Sequence, residues 1–322
     1  MGGGERLQRA LEQLEFMVSL DPYLNETTRF ADIILPPCGP LEKGHYDMFY
    51  HLYDTINWSK YSQPLFITEH SKWTDFEIFT DLMGLLAARR AQNPLKKFFV
   101  GCAHKLARKF LTPERIVAIG LRMGPYGKGL NPFKKDALSL QKLKDNPHGI
   151  FLGDLEYSFP EGLYTPDKKI NLAPQVFVDD LPRLKAYFVD GGMEEEQAAS
   201  EFDLRIISRL TNRTLGWMHH SYRLVKGKNP CELMIHPNDA ATRGIQADSL
   251  VTVTSRAAHI QLPVDITDDI IPGVVCMPHL WGHGRKNTRQ RVANANPGVS
   301  MNDITDVKVI DELTGNAIVN GV

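Results

Sequence analysis

Apolar and polar positions follow three rhythms along the chain, and each predicts its own arrangement of elements. Residues 14–37, LEFMVSLDPYLNETTRFADIILPP, hold two short apolar runs, Phe16 to Leu20 and Ile33 to Leu35, around a polar turn. Continuous apolar runs of this length predict strands buried on both faces, as in a parallel sheet. Asn25 is placed to cap the intervening turn of helix, and Pro36-Pro37 stops the second strand. The reading is a compact α/β unit, with Asp21 just beyond the carboxyl end of the first strand, where open α/β sheets put ligands.

The second rhythm is helical. In WTDFEIFTDLMGLLAARR, residues 73–90, Thr74 can cap while Glu77 reaches back, and Trp73 and Ile78 can staple the start. Phe76, Phe79, Leu82, Met83 and Leu86 share one face, and Arg89-Arg90 suit the negative helix end. From 204 onward the rhythm becomes period two. DLRIISRL, DSLVTVTSR, HIQLPVDIT and DDIIPGVVCMPH read as strands, with a short helix in HPNDAATRGI started at Asn238 or Asp239 and closed by Gly244 at C′. Several short strands around one small helix predict a closed or nearly closed barrel.

Composition changes this picture little. The chain has 322 residues, 43% hydrophobic and 23% charged, with formal net charge −1. That balance excludes a disordered chain and a whole-molecule nucleic-acid binder. No run approaches the roughly 18 apolar residues of a membrane span, and the start lacks the apolar stretch of a secretory signal. Residues 89–150 are rich in Lys and Arg; they read as a solvated helical face, with an anion-attracting channel or a docking face as alternatives. The acidic stretch at 190–203 reads as an exposed linker. Cys38, Cys102, Cys231 and Cys276 form no CxxC pair, so neither a cysteine-rich zinc site nor an iron–sulfur run is present. Isolated thiols fit a reducing compartment, each a small buried hydrophobe, and the expected localisation is cytoplasmic.

The segment SLDPYLNETTRFADIILPPCGPLEKGHYD resembles the end of the large α/β part of molybdopterin-dependent oxidoreductases of the dimethyl sulfoxide reductase family. SRLTNRTLGWMHH, HPNDAATRGI, DSLVTVTSR, IIPGVVCMPHLWGHG and NPGVSMNDIT resemble, in the same order, that family's molybdopterin-dinucleotide-binding domain. The resemblance covers 14–90 and 204–312. It implies a partial parallel α/β domain followed by a double-psi β-barrel, divided as 1–90, a basic connecting region and acidic linker at 91–200, and the barrel at 201–322. It also implies that the sequence is the C-terminal portion of an enzyme. The molybdenum ligand, any 4Fe-4S cluster and the remaining half would then lie outside it, on the N-terminal part or another redox subunit.

The implied cofactor is bis(molybdopterin guanine dinucleotide) with molybdenum, acting on a small-molecule substrate by two-electron or oxygen-atom chemistry. Its diphosphate calls for guanidinium forks and hydrogen-bond donors, and Arg209, Asn212, Arg213 and Thr214 follow a strand where a loop can wrap it. A carboxylate can accept both donors of a guanine edge; Asp239, beside Asn238, is placed for this, and Asp21, with Thr27 near phosphate, for a second guanine. Each has a plainer reading as a helix cap or turn residue. The resemblance puts His219 or His220 near a pterin, donating to a ring nitrogen or carbonyl, and brings Trp281, His283 and Asn302 to the same place. Adjacent histidines in a strand are poor joint metal ligands. Glu42 is the one acid considered for proton handling, with a structural role favoured, because GHYDMFYHLYDTINWSK departs from the family pattern there. Two other functions compete: a structural relative that has lost the metal, and a barrel that binds anionic nucleotides alone.

Overall fold

The computed structural model describes residues 3–66, 73–131, 133–134, 136–192, 200–210, 216–225 and 231–318. The chain forms two compact units. One combines 1–18, 23–33 and 170–322; the other combines 19–22 and 34–169. The N-terminal segment opens with helix α1 (Gly4–Glu12) and holds two strands of two residues each, β1 (Val18–Ser19) and β2 (Ile33–Ile34). These strands were expected to be buried. Instead Phe16, Val18 and Ile33 are exposed, so apolar runs this short were not sufficient evidence of a two-sided interior. Asn25 does organise the turn between them: its Oδ1 accepts the backbone N–H groups of Thr27 and Thr28, each at 3.0 Å.

In the unit containing 34–169, β3 (His45–Tyr46) pairs antiparallel with β5 (Tyr61–Ser62), and β4 (Asn57–Ser59) pairs antiparallel with β6 (Ile150–Gly153). Helix α2 (Asp75–Arg90) starts as its sequence specifies. Thr74 Oγ1 accepts from Glu77 N at 3.2 Å, and Glu77 Oε2 accepts from Thr74 N at 2.8 Å. The helix packs on α3 (Pro94–Phe110) at Gly84, where a β-carbon would come within 2.3 Å of the His104 ring. His104 and Arg108 both reach Asp81, at 3.2 and 2.6 Å. The apolar face expected to be covered is largely not: Phe79, Met83 and Leu86 are exposed, and Ile78 is the buried residue of the helix. Helices α4 (Pro113–Met123) and α5 (Leu140–Lys144) complete the core of this unit with Tyr61, Leu121, Leu138 and Leu143. Lys144 pairs with Glu114, so part of the basic region is neutralised locally.

In the other unit, α6 (Gln175–Phe188) precedes a five-stranded sheet of β7 (Arg205–Arg209), β8 (Leu233–Ile235), β9 (Leu250–Thr254), β10 (His259–Ile266) and β11 (Val274–Pro278), ordered β7-β11-β8-β10-β9. β9 and β10 form an antiparallel hairpin, Thr254 opposite His259 and Leu250 opposite Pro263. Along β10, Ile260, Leu262 and Val264 point into the core while their neighbours face out, as period-two patterning requires. β7 runs parallel to β11, and β8 antiparallel to it. The core is Leu233, Ile235, Leu262, Val264, Val275 and Met277, closed by Met301 and Ile304. Short helices α7 (Tyr222–Val225), α8 (Pro237–Thr242) and α9 (Arg291–Ala295) fill the connections. Gly244 stands at C′ of α8 with φ +65°, as expected, but the cap is His236, whose side chain accepts from Asn238 N; neither Asn238 nor Asp239 starts the helix.

Candidate functional site

Parallel pairing of β7 with β11 brings the strand ends at Arg209 and Pro278 side by side and places His279 N 3.0 Å from Arg209 O. The loop after β11 then turns back. Leu280 has φ +66° and Gly282 φ +113°, and Gly282 N and His283 N both bond to Pro297 O. Glycine is required at 282, because a β-carbon there would meet Ser300 Cβ at 2.7 Å. This turn buries Trp281 and His283.

His219, in a 3-10 turn (Gly216–His220), is fully buried against them. Its ring lies 4.2 Å from that of Trp281, and its Nδ1 is 2.6 Å from His283 Nε2. His283 Nδ1 is 3.1 Å from Glu26 Oε1, which also accepts from Gln290 Nε2 at 2.6 Å. Burial pushes the Glu26 carboxyl up, but the hydrogen bond from His283, backbone bonding and Gln290 outweigh it, and the net pKa is lowered. His220 turns the other way and stacks on Tyr23. The two neighbouring histidines therefore diverge, and among the described residues no group of three or more His, Cys, Asp or Glu side chains could hold a metal ion.

Three buried polar atoms at this end of the sheet have no hydrogen-bond partner among the described residues: Arg209 Nε, His279 Nδ1 and Trp281 Nε1. Arg209 Nη1 meets only a soft acceptor, Met234 Sδ, at 2.6 Å. Burial holds the His279 imidazole below its usual pKa and raises the Cys231 and Cys276 thiols, so Arg209 is the charged group of the cluster. Orphaned buried donors are rare and costly. A buried guanidinium at the end of β7 and a buried indole N–H in the turn after β11 have the chemistry an anion-bearing heterocycle needs, so these residues fit such a ligand.

The remaining candidates are dispersed. Asn212, Arg213 and Thr214 lie outside the described residues. Asp239 accepts from Gly273 N at 2.7 Å and lies 3.9 Å from Arg243, at the beginning of β11; Arg209 is at its end, about 13 Å along the strand. Asn238 is exposed. Asn302 packs against the start of α1. Thr27 lies in the Asn25 turn, and Asp21 belongs to the other unit. Glu42 Oε2 accepts from Gly39 N at 2.7 Å, which closes a turn. His279, Glu26 and Gln290 were missed; a histidine after a strand and a glutamate in a polar turn carry no local signal of burial. No disulfide links the four cysteines; Cys231 and Cys276 are buried, but Cys102 is exposed on α3.

Residues 204–322 match the family described as the molydopterin dinucleotide binding domain. The chain is 35% identical over 79 residues to a trimethylamine-N-oxide reductase of Pasteurella multocida (strain Pm70), a stretch covering 24% of this chain and 9% of that protein. It is 24% identical over 277 residues to the probable oxidoreductase YjgC of Bacillus subtilis (strain 168), covering 84% of this chain and 24% of that one. Its fold is similar to acetylene hydratase from Pelobacter acetylenicus, with TM-score 0.65 and 14% identity, covering 99% of this chain and 41% of that one. The chain thus spans about a quarter of the longer curated match and less than half of the solved one.

Proposed function

Since the chain belongs to the molybdopterin-dependent oxidoreductases of the dimethyl sulfoxide reductase family, we propose that its C-terminal unit holds a molybdopterin guanine dinucleotide at the ends of β7 and β11. The observation that carries this reading is the buried, unsatisfied set Arg209 Nε, His279 Nδ1 and Trp281 Nε1 beside the Trp281–His219–His283 cluster. Arg209 supplies fixed positive charge for a diphosphate, and Asn212, Arg213 and Thr214, next in the sequence, are assigned to the same group. The histidines and Trp281 shape a dry wall for the pterin, and Asn302 is assigned to its rim. Bound there, the bis(molybdopterin guanine dinucleotide) supplies a molybdenum centre for two-electron or oxygen-atom chemistry on a small substrate. The residues of this chain bind, orient and exclude water.

Guanine recognition is assigned to Asp239 and Asn238, with Asp21 and Thr27 for a second guanine; the Asp239 carboxylate, engaged by Gly273 N–H, also holds α8 against β11. We further assign the five-stranded sheet to a double-psi barrel and retain the divisions 1–90, 91–200 and 201–322. The metal's protein ligand, any 4Fe-4S cluster and the redox partner belong to the rest of the enzyme. We assign a cytoplasmic setting, which four cysteines without a disulfide suit. No described helix is long and apolar enough to cross a membrane.

The test is molybdenum and guanine-nucleotide content in this chain co-purified with the rest of its enzyme. Stoichiometric molybdenum and nucleotide are expected, with a loss of tenfold or more in Arg209→Ala at unchanged circular dichroism. A folded, co-purified wild-type chain with neither overturns the reading.

A further inference from the structure

Helix α3 (Pro94–Phe110), in the unit that holds 34–169, turns its apolar side outward. Its half-buried positions are Val100, Gly101, His104 and Ala107, which share the side that meets α2, where His104 reaches Asp81. Leu95, Phe99, Cys102, Leu106 and Phe110 recur at the spacing of one helix face and lie on the opposite side. The leucines and phenylalanines of this stripe are each more than half exposed, and Cys102 is exposed as well. An apolar stripe running about 25 Å along a helix calls for something to cover it.

The charges around the stripe are of one sign. Helix α3 carries Lys96, Lys97, Lys105, Arg108 and Lys109 and no Asp or Glu. By helical spacing, Lys105 and Lys109 border the stripe on one side, together with exposed Phe98, and Lys96 borders it on the other. The acids of the two neighbouring helices are engaged elsewhere: Asp75 with Lys43, Glu77 with Thr74, Asp81 with His104 and Arg108, and Glu114 with Lys144 and Tyr61. Lysine therefore stands beside phenylalanine and leucine with no carboxylate on the helix to neutralise it. Such side chains lay their stems along apolar surface and carry the ammonium group outward, toward anions.

We propose that α3 is a membrane-surface helix that lies in the plane of an anionic bilayer, with Leu95, Phe99, Leu106 and Phe110 in the upper acyl region and Lys105 and Lys109 at the lipid phosphates. Charge complementarity selects this occupant. Phenylalanine and leucine flanked by lysine on both borders is the pattern of an interfacial helix. A protein groove taking the same stripe needs acidic groups along both rims, whereas a layer of anionic headgroups offers negative charge at every position. Attachment of this kind is peripheral and reversible, and no described helix is long and apolar enough to span the bilayer. The proposal is independent of the cofactor reading, since no residue of α3 enters that site.

The experiment sediments the enzyme, this chain co-purified with its other parts, with lipid vesicles. Vesicles of equal parts phosphatidylglycerol and phosphatidylcholine are compared with phosphatidylcholine alone. The enzyme should bind the anionic vesicles, about tenfold more weakly the neutral ones, and less as salt is raised. Phe99→Glu combined with Leu106→Glu should abolish binding. Lys105→Gln combined with Lys109→Gln keeps the stripe and the α2 contact, and should weaken binding to anionic vesicles by about tenfold at unchanged circular dichroism. A maleimide should label Cys102 in the lipid-free enzyme and be slowed by anionic vesicles, as mass spectrometry of its peptide reports. No sedimentation with anionic vesicles, equal binding to both kinds, or binding unmoved by the lysine variant overturns the proposal. Cys102 shielded from maleimide in the lipid-free enzyme overturns it in favour of a protein covering the stripe.

Discussion

Tyr23 and His220 stack face to face, ring centroids 3.7 Å apart and planes 3° from parallel. One belongs to the N-terminal turn and the other to the end of the histidine-bearing loop, so the stack fastens residues 23–33 to the unit that carries the site. Two further links run the same way: Arg289 N bonds to Leu24 O at 2.7 Å, and Arg29 Nη1 donates to Lys286 O at 3.0 Å.

Because the pair is half exposed, its value is that of an aromatic contact rather than of full burial. Tyr23→Ala should lower the unfolding free energy by about 1 kcal/mol through loss of the stack. Urea denaturation of the variant against the wild type measures the difference.

Gly298 sits at φ +53° with Trp281 Cε3, Cys231 Sγ and Cys231 Cβ at 2.6, 2.7 and 3.0 Å from where a β-carbon would be. Gly298→Ala combines left-handed strain with overpacking, and should cost about 2–4 kcal/mol. Its near-ultraviolet circular dichroism should change too, because Trp281 must move.

The lowered pKa of Glu26 has a definite sign. A carboxyl lowered in the folded state stabilises fully above its unfolded value, and that contribution is lost as pH falls through the folded one. Acid titration of stability should therefore show a step in the wild type, on the acid side of the ordinary carboxylate range. Glu26→Gln should flatten it.

Tyr61 behaves oppositely. Burial, then its hydrogen bond to Glu114 at 2.9 Å, push its phenol up to about 12 from 10.0. The folded state holds the proton longer than the unfolded chain, so stability is complete below pH 10 and falls as pH rises from about 10 to about 12. Tyr61→Phe should remove this alkaline loss and lower stability near neutrality by about 1 kcal/mol, measured by thermal melts across pH.

Helix α2 offers a local control. Thr74→Ala removes the acceptor for Glu77 N and should cost about 1 kcal/mol without loss of molybdenum, as equilibrium unfolding and the metal content of the co-purified enzyme would report.

What could be read from the sequence was local or periodic. The Thr74–Glu77 box, the Asn25 turn, Gly244 after α8 and the alternation of β9 and β10 each depend on residues a few positions apart. Burial that depends on distant chain was not legible: Phe16 and Ile33 carry apolar side chains and remain exposed, while His219 and Gln290 are polar and buried. Of the site, Arg209 could be placed at a strand end from pattern alone, but not Glu26.

The sequence by itself determined the Thr74 cap, the Asn25 turn and the face β10 turns inward, since side-chain alternation and backbone capping act within a few residues. Only the tertiary structure decided that His219 would meet His283, 64 positions away, and that His283 would meet Glu26, 257 away. It also decided that Arg209 and Asp239 would fall at opposite ends of β11. Both outcomes depend on strand register and on loops closing over the sheet. A shift of register would leave every local pattern satisfied and give each buried proton a different partner.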